Sequence, residues 1–253
     1  MTLVLFGLFF LFMLLGVPIA FAIGASSLYA LYQSGVPLMV VTQQMFQGIN
    51  SFALVAIPMF ILAGDLMAQG KVILRLVGFA DSLVGFMRGG LSVVSVMAGM
   101  FFAAISGSGA ATTAAVGSSL VPELKRKGYD PASAASLIAA SGTIGVVIPP
   151  SVPMIIYAVI AQQSVSELFL NGFLPGLAMG VALMAIAITQ AYKRQYPKGT
   201  PLSLATMWHT FKAASWGLMT PVIILGGIFS GVFTPSEAAV VAVNYALLVS
   251  LFV

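Results

Sequence analysis

Long runs of apolar residues make up most of this sequence, and few polar residues separate them. A helix that crosses about 30 Å of hydrocarbon needs about 20 apolar residues. Seven stretches are candidates for such helices: 3–32, 53–69, 91–124, 131–162, 173–191, 216–233 and 238–253. In residues 38–52, apolar side chains recur at helical spacing with Gln and Asn between them, which predicts a helix at the outer surface of the bilayer or, alternatively, an ordinary loop helix. The pattern predicts an all-α protein with several membrane crossings.

Two of these stretches do not fit a plain crossing. Residues 91–124 divide into two short arms around the centre SGSGA, and residues 131–162 are too long for one straight helix and contain GTIGVVIPPSVP. Each interruption falls near the middle of its apolar stretch, hence near the bilayer centre. Irregular backbone is tolerated at that depth only where it is buried in protein or lines a cavity. We therefore predict a re-entrant helical hairpin over 91–124 and a broken transmembrane helix over 131–162.

The composition supports a membrane protein and excludes several other classes. Hydrophobic residues make up 60% of the chain and charged residues only 6%, whereas an ordinary soluble domain carries roughly 25% charged residues. Cysteine is absent and His209 is the only histidine, so the sequence has neither a disulfide framework nor the side chains for a thiolate or His-rich metal site. The net charge of +4 comes from short basic clusters between apolar stretches, which is typical of topology signals and not of nucleic-acid binding.

The positions of the basic residues predict the topology. If 91–124 is a hairpin whose ends emerge on the same side, all ten Lys and Arg residues fall on one face, which the positive-inside rule makes cytoplasmic. The ten are Lys71, Arg75, Arg88, Lys125, Arg126, Lys127, Lys193, Arg194, Lys198 and Lys212. The opposite loops, which contain none, are 33–52, 163–170 and 234–237. Because the N-terminus has no basic n-region and no clear cleavage site, we interpret 3–32 as one retained helix. The charge-based topology then predicts a cytoplasmic N-terminus.

The two interruptions offer uncharged oxygen atoms, which suit a small hard cation such as Na⁺. Pro149 and Pro150 lack an N–H group, so carbonyls near them lose their helical partners. The predicted oxygen donors are the carbonyls near Gly142, Gly145 and Ile148 and the hydroxyls of Ser106, Ser108 and Thr143. Half-helices that begin near Ala110 and Ser151 would point N–H groups and positive dipole ends at an anionic solute. The candidate solute-binding residues are Ser106, Gly107, Ser108 and Ser151. The alternative is that these small residues only allow close helix packing.

The sequence offers little support for an enzyme. An intramembrane serine hydrolase needs a base within hydrogen-bond reach of its nucleophile. Ser106 and Ser108 lie in the predicted membrane interior, whereas His209 lies in a predicted cytoplasmic segment. The phosphate-binding pattern G-x-x-x-x-G-K-[ST] does not occur, which excludes a P-loop ATPase. We therefore predict a protein without enzymatic activity.

Six stretches spread over nearly the whole chain carry a family pattern: GVPIAFAIG at 16–24, IPMFILAGDLM at 57–67, FFAAISGSGAATTAAVGS at 101–118, GYDPASAASLIAASGTIGVVIPPSVPMIIYA at 128–158, LFLNGFLPGL at 168–177 and GVFTPSEAAVVAV at 231–243. In these stretches the sequence resembles the large membrane subunit of the tripartite ATP-independent periplasmic (TRAP) transporters.

The resemblance implies an elevator-type transporter of the bacterial inner membrane, driven by a Na⁺ gradient. In that family a periplasmic binding protein delivers the solute, commonly a carboxylate such as a sialic acid or a C4-dicarboxylate, and a small four-helix membrane subunit braces the large one. The resemblance also implies a division into scaffold helices (1–90), a moving transport part (91–162) and further helices (163–253). Carried over by residue, the first Na⁺ site would use Ser106, Ser108, Gly142, Gly145, Ile148 and Pro150.

The family has two inverted repeats, and this chain matches the first repeat and the start of the second. It stops at Val253 inside an apolar run. We therefore expect a fragment or part of a larger assembly, with the remainder of the large subunit as a further partner, that does not transport alone. Two alternatives stay open: an elevator-type Na⁺/anion symporter that needs no binding protein, and a membrane scaffold without a site of its own.

Overall fold

The computed structural model describes residues 1–199 and 201–252, and over that range the chain is helical without β-strands. Two 3-10 turns, Phe52–Val55 and Ile144–Val146, accompany twelve α-helices in these residues. In chain order the helices are α1 (Thr2–Leu14), α2 (Ile19–Gln33), α3 (Leu38–Ile49), α4 (Ala56–Gln69), α5 (Val72–Val84), α6 (Gly90–Ser106), α7 (Gly109–Arg126), α8 (Pro131–Thr143), α9 (Val152–Ala161), α10 (Val165–Lys193), α11 (Leu204–Phe229) and α12 (Pro235–Phe252). The predicted all-α class is confirmed.

Among the described residues, four helical segments are long and apolar enough to cross a membrane: Phe52–Gln69, which contains α4, and the helices α10, α11 and α12. They correspond to four predicted crossings. Helices α10 and α11 begin several residues earlier than predicted, because Ser164 and Ser203 cap them by accepting hydrogen bonds from the N–H groups three residues on. The predicted crossing 238–253 extends to Val253, which lies outside the described residues.

The chain forms two compact units, and the first, Met1–Ser51, corrects the prediction of one helix over 3–32. Helix α1 ends before Gly16, which has a left-handed conformation with a φ of +79°. Pro18 then precedes α2, and the two helices pack against each other. Glycine adopts positive φ without steric cost and proline cannot continue a helix, so the pair reverses the chain.

This reversal removes the premise for the predicted cytoplasmic N-terminus. The hydroxyl of Ser34, after α2, lies 3.6 Å from the sulfur of Met1, so both ends of the helical pair are on the same side of this unit. At 1.5 Å per residue, α1 and α2 are each only about 20 Å long. A single crossing by 3–32 is therefore wrong. The predicted helix over 38–52 is present as α3, while its position at the bilayer surface stays a prediction.

In the second unit, which starts at Phe52, α4 and α12 run side by side in the same direction. At one end the Ser236 hydroxyl donates to the Phe52 carbonyl at 2.7 Å. At the other end a Cβ atom on Gly70 would lie 3.0 Å from Cα of Ser250. Helix α5 packs against α11, where the hydroxyls of Ser82 and Thr210 are 2.8 Å apart. Helices α4 and α5 also pack against α6 and α7, which form the predicted hairpin.

The hairpin is present as α6 and α7, which reverse at Gly107 and Ser108. Their far ends meet: Leu91, at the start of α6, and Tyr129, after α7, line the same cleft. Most residues of α6 are buried. The hairpin shape is thus confirmed, and its re-entrant placement in a bilayer stays a prediction.

The residues that follow α10 contact the open end of this hairpin, where α7 leads into α8. The carboxylate of Asp130 caps α8 and accepts a hydrogen bond from the Arg194 guanidinium at 2.9 Å. The backbone N–H of Asp130 donates to the Tyr196 hydroxyl at 3.3 Å, and the rings of Tyr129 and Tyr196 have centroids 4.1 Å apart. Burial raises the pKa of Tyr129 to about 12.

Basic residues that are far apart in the sequence lie together at this end. Arg88, before α6, forms an isolated antiparallel bridge with Lys198, after α10. Lys127 and Lys198 line one cleft of about 490 Å³ together with Tyr129. This proximity agrees with the predicted grouping of these charges on one face. The membrane side of that face, and the division into scaffold and moving parts at residues 90 and 162, stay predictions.

Candidate cation site at the hairpin tip and the helix break

The hairpin tip is a two-residue interruption between α6 and α7. Gly107 has a φ of +62°, a left-handed conformation that ends α6. Ser108 is extended, and its hydroxyl accepts a hydrogen bond from the Ala111 N–H at 3.3 Å, which caps α7. The order glycine then serine thus stops one helix and starts the next within two residues.

The helix break lies between α8 and α9. A 3-10 turn follows α8, and Pro149 and Pro150 then cannot donate to the carbonyls of Gly145 and Val146, as residues of a continuous helix would. The Ser151 hydroxyl takes over one of these roles by donating to the Val146 carbonyl at 2.6 Å. The same hydroxyl accepts from the Met154 N–H at 3.4 Å and caps α9. Gly145 is left without the helical donor for its carbonyl.

The two interruptions meet through their backbones. The Val152 N–H, at the start of α9, donates to the Gly107 carbonyl at 3.1 Å. A Cβ atom on Gly107 would lie 2.5 Å from the Pro150 carbonyl oxygen, and one on Gly109 would lie 2.9 Å from the Gly142 carbonyl oxygen. Side chains at these positions would separate the segments, so glycine is required for the contact.

Uncharged oxygens gather where the segments meet. The hydroxyls of Ser106 and Thr112 are 3.0 Å apart and both residues are buried. The Ser106 hydroxyl is 3.5 Å from the Ser108 carbonyl oxygen. A Cβ atom on Gly145 would lie 2.9 Å from the Thr112 hydroxyl and 3.1 Å from that same carbonyl oxygen. Within the described residues, no group of three or more His, Cys, Asp or Glu residues could hold a metal ion. The arrangement therefore offers hydroxyl and carbonyl ligands, which suit a hard monovalent cation.

The tip lies beside a helical segment that is long and apolar enough to cross a membrane. A Cβ atom on Gly64, in α4, would lie 2.9 Å from Cα of Ser106. Gly64 is well inside the candidate span Phe52–Gln69. This contact supports the predicted depth of the tip near the centre of the apolar layer.

Most of the predicted site residues come together in this way, namely Ser106, Gly107, Ser108, Gly142, Gly145, Pro150 and Ser151. Two side chains do not. Thr143 is exposed, and its hydroxyl donates to the Ala140 carbonyl one turn earlier in α8. The Ile148 side chain packs against α10, because a Cβ atom on Gly176 would lie 2.5 Å from its Cγ1. The predicted ligand at this position is the Ile148 carbonyl, and that assignment stays a prediction.

Thr112 places a hydroxyl group at the tip, although it was not among the predicted ligands. It occupies the first turn of α7, so its hydroxyl returns to the tip at Ser106. The sequence signal was a threonine pair just after the tip. Only the structure separates the two, because the Thr113 hydroxyl instead donates to the Gly109 carbonyl at 2.9 Å.

An interrupted hairpin joined to a broken helix, among apolar spanning helices, defines a polytopic membrane transport protein. Comparison with known proteins gives the family. Residues 6–253 match the family described as "Tripartite ATP-independent periplasmic transporter, DctM component". The chain belongs to this family of TRAP transporter large permease subunits. The predicted family is therefore confirmed, and with it the expectation of a transporter component and not an enzyme.

Three relatives illustrate the range of the match. The chain is 45% identical to an isethionate TRAP transporter permease protein of Oleidesulfovibrio alaskensis, over 99% of this chain and 40% of that protein. It is 39% identical to the C4-dicarboxylate large permease of Rhodobacter capsulatus, over 100% of this chain and 61% of that protein. It is 38% identical to a sialic acid TRAP transporter permease protein of Haemophilus influenzae, over 95% of this chain and 39% of that protein. The chain thus spans about half the length of the curated relatives that it matches.

Proposed function

We propose that this chain is part of a transporter that couples Na⁺ entry to the uptake of an organic anion across the bacterial inner membrane. A periplasmic binding protein delivers the anion, a carboxylate such as a sialic acid or a C4-dicarboxylate. A small four-helix membrane subunit and the remainder of the large subunit complete the assembly. The observation that carries the proposal is the backbone contact between the hairpin tip and the helix break, at Gly107 and Val152.

The oxygens at this contact support Na⁺ as the coupling ion. The hydroxyls of Ser106 and Thr112 and the carbonyls of Ser108 and Gly145 lie on the two segments that meet. Na⁺ is a hard monovalent ion, so neutral oxygens suffice and a buried carboxylate is not needed. An ion that bridges both segments would favour the joined arrangement over the separated one. Ion binding would thereby stabilise one conformation of the site.

Two helix starts support an anionic solute. Helices α7 and α9 begin at Gly109 and Val152, next to the tip contact, and serine caps both. The positive end of a helix dipole favours a nearby negative charge. Isethionate, C4-dicarboxylates and sialic acid, for which relatives are named, are all anions. By analogy with elevator transporters, residues 91–162 would carry the bound ion and solute across the bilayer.

The test measures Na⁺-dependent solute uptake by the complete transporter in proteoliposomes, with and without the binding protein. Removing an oxygen ligand by Ser106→Ala or Thr112→Ala should raise the Na⁺ concentration for half-maximal uptake by about tenfold, since 1.4 kcal/mol of lost binding free energy corresponds to that factor. Thr143→Ala is the matched control, because its hydroxyl is exposed and bonded within α8. It should leave the Na⁺ requirement unchanged.

Three outcomes would contradict parts of the proposal. If uptake proceeds without a Na⁺ gradient, Na⁺ is not the coupling ion. Full uptake without a binding protein would favour a stand-alone symporter. If the Na⁺ requirement is unchanged in both Ser106→Ala and Thr112→Ala, the tip does not bind Na⁺. Its small residues would then serve only helix packing, as expected for a scaffold without a site.

A further inference from the structure

Helix α4 passes the hairpin tip with no room for a side chain. A Cβ atom on Gly64 would lie 2.9 Å from Cα and 3.0 Å from Cβ of Ser106. The nearest obstruction is backbone and not the flexible end of a side chain, so an added methyl group would have to move the tip or α4. Gly64 and Ser106 are both buried.

Helix α4 is poorly able to give way at this point. Its start is held against α12, because the Ser236 hydroxyl donates a hydrogen bond to the Phe52 carbonyl. Phe60 and Met67 lie about one turn before and after Gly64, and both are fully buried. Close-packed interiors transmit such strain instead of absorbing it. A displacement at Gly64 therefore passes to the tip.

Ser106 links this contact to the oxygen cluster. Its backbone faces Gly64, while its hydroxyl is 3.0 Å from the Thr112 hydroxyl and 3.5 Å from the Ser108 carbonyl oxygen. A shift of Ser106 by a few tenths of an ångström changes both distances. Cation affinity depends on the positions of the ligand oxygens, so the shift alters the site without removing any ligand.

We propose that Gly64 is a positioning residue for the cation site. Its missing side chain lets the α4 backbone hold Ser106 where the hydroxyl can share a cation with Thr112 and Ser108. This inference rests on the proposed function, because it assigns to α4 the control of Na⁺ affinity at the same site.

The experiment compares Gly64→Ala with two other glycine substitutions in the complete transporter. Gly70→Ala is equally crowded, with its Cβ 3.0 Å from Cα of Ser250, but lies at the end of α4 away from the tip. Gly226→Ala adds a methyl group in α11 where nothing lies within 4 Å. The measurements are Na⁺-dependent uptake, Na⁺ binding by calorimetry without solute, and thermal unfolding without Na⁺.

Gly64→Ala should raise the Na⁺ concentration for half-maximal uptake by roughly three- to tenfold and weaken Na⁺ binding by the same factor, with uptake at saturating Na⁺ within about twofold of the parent. Gly70→Ala should lower the unfolding temperature without changing the Na⁺ requirement, and Gly226→Ala should change neither. An Na⁺ requirement that shifts equally in Gly64→Ala and Gly70→Ala, or in neither, overturns the inference.

Two further results keep the outcome decisive. If Gly64→Ala does not assemble, Phe60→Leu loosens the packing one turn away without adding bulk beside Ser106. It should also raise the Na⁺ requirement, and an unchanged value overturns the inference. If the parent transporter itself shows no Na⁺ dependence, the proposed function fails. If the parent depends on Na⁺ and only the Gly64→Ala effect is missing, the function stands and this inference alone fails.

Discussion

The helix pairs α1–α2 and α6–α7 are each joined through a glycine with positive φ. In the first pair Gly16 is exposed, and a Cβ atom there would meet nothing within 4 Å. In the second pair Gly107 is buried, and a Cβ atom would lie 2.5 Å from the Pro150 carbonyl oxygen. Helix α1 has no buried residue, whereas most residues of α6 are buried.

The difference shows that reversal of a helix does not by itself make a site. Both glycines solve the same local problem, which is to end a helix in the left-handed region. Only the tip at Gly107 meets a second irregular segment, through the hydrogen bond from the Val152 N–H. The hydroxyls of Ser106 and Thr112 lie 3.0 Å apart at this tip.

The largest effect that separates the two turns is expected from valine at each glycine. Gly107→Val should destabilise the protein by about 2–5 kcal/mol, because left-handed strain of about 1–2 kcal/mol adds to overlap with Pro150. Na⁺-dependent uptake should be lost. Gly16→Val should cost only the strain of about 1–2 kcal/mol and keep uptake. Thermal unfolding and uptake assays measure both effects. Equal losses in the two variants would show that the Gly107 turn is no more constrained than the Gly16 turn.

A medium effect is expected from Ser151→Ala, in the segment that the tip contacts. This change removes the cap of α9, worth about 1 kcal/mol, and leaves the Val146 carbonyl without its hydroxyl donor, a further penalty of about 1–3 kcal/mol. Ser203→Ala, at an exposed cap of α11, is the control and should cost about 1 kcal/mol or less. Chemical or thermal unfolding measures the difference. A smaller cost for Ser151→Ala than for Ser203→Ala would show that the break needs no such support.

The smallest effect concerns the open ends of the two hairpins. Asp130→Asn keeps a side chain that can cap α8 but removes the charge that meets Arg194. Hydrogen bonds from Ser133, and then the Arg194 guanidinium, hold the pKa of Asp130 below its ordinary value. The ionised form is therefore favoured by folding. Its stabilisation is present at neutral pH and is lost as pH falls through the lowered folded-state pKa.

The wild type should thus unfold at a slightly higher temperature than Asp130→Asn at pH 7, and the gap should close below about pH 4, near and under the ordinary pKa of aspartate. Ser34→Ala, at the open end of the first hairpin, should shift the free energy of unfolding by no more than about 0.5 kcal/mol at any pH. A gap that widens toward low pH would contradict the assigned cause.

The sequence was sufficient to predict the hairpin and the helix break, but not the segments that pack against them. Gly107 and the Pro149–Pro150 pair interrupt helices by backbone rules that act within a few residues, so both interruptions were predictable. The first turn was missed because Gly16 and Pro18 lie inside an unbroken apolar run, and hydrophobicity alone does not separate one long helix from two short ones. Nor did the sequence show that the Thr143 hydroxyl donates to the Ala140 carbonyl within α8.

The sequence by itself determined that this chain is a helical membrane protein, where its helices break and which uncharged oxygens stand at the breaks. These features follow from composition, from the missing N–H of proline and from the conformational freedom of glycine. Only the tertiary structure decided that Thr112 and not Thr143 faces the tip, and that α4 supports Ser106 at Gly64. The Gly64–Ser106 contact joins residues 42 positions apart, so local propensities carry no information about it. Which threonine hydroxyl faces the tip depends on how the side chains of α7 and α8 are oriented in the folded protein.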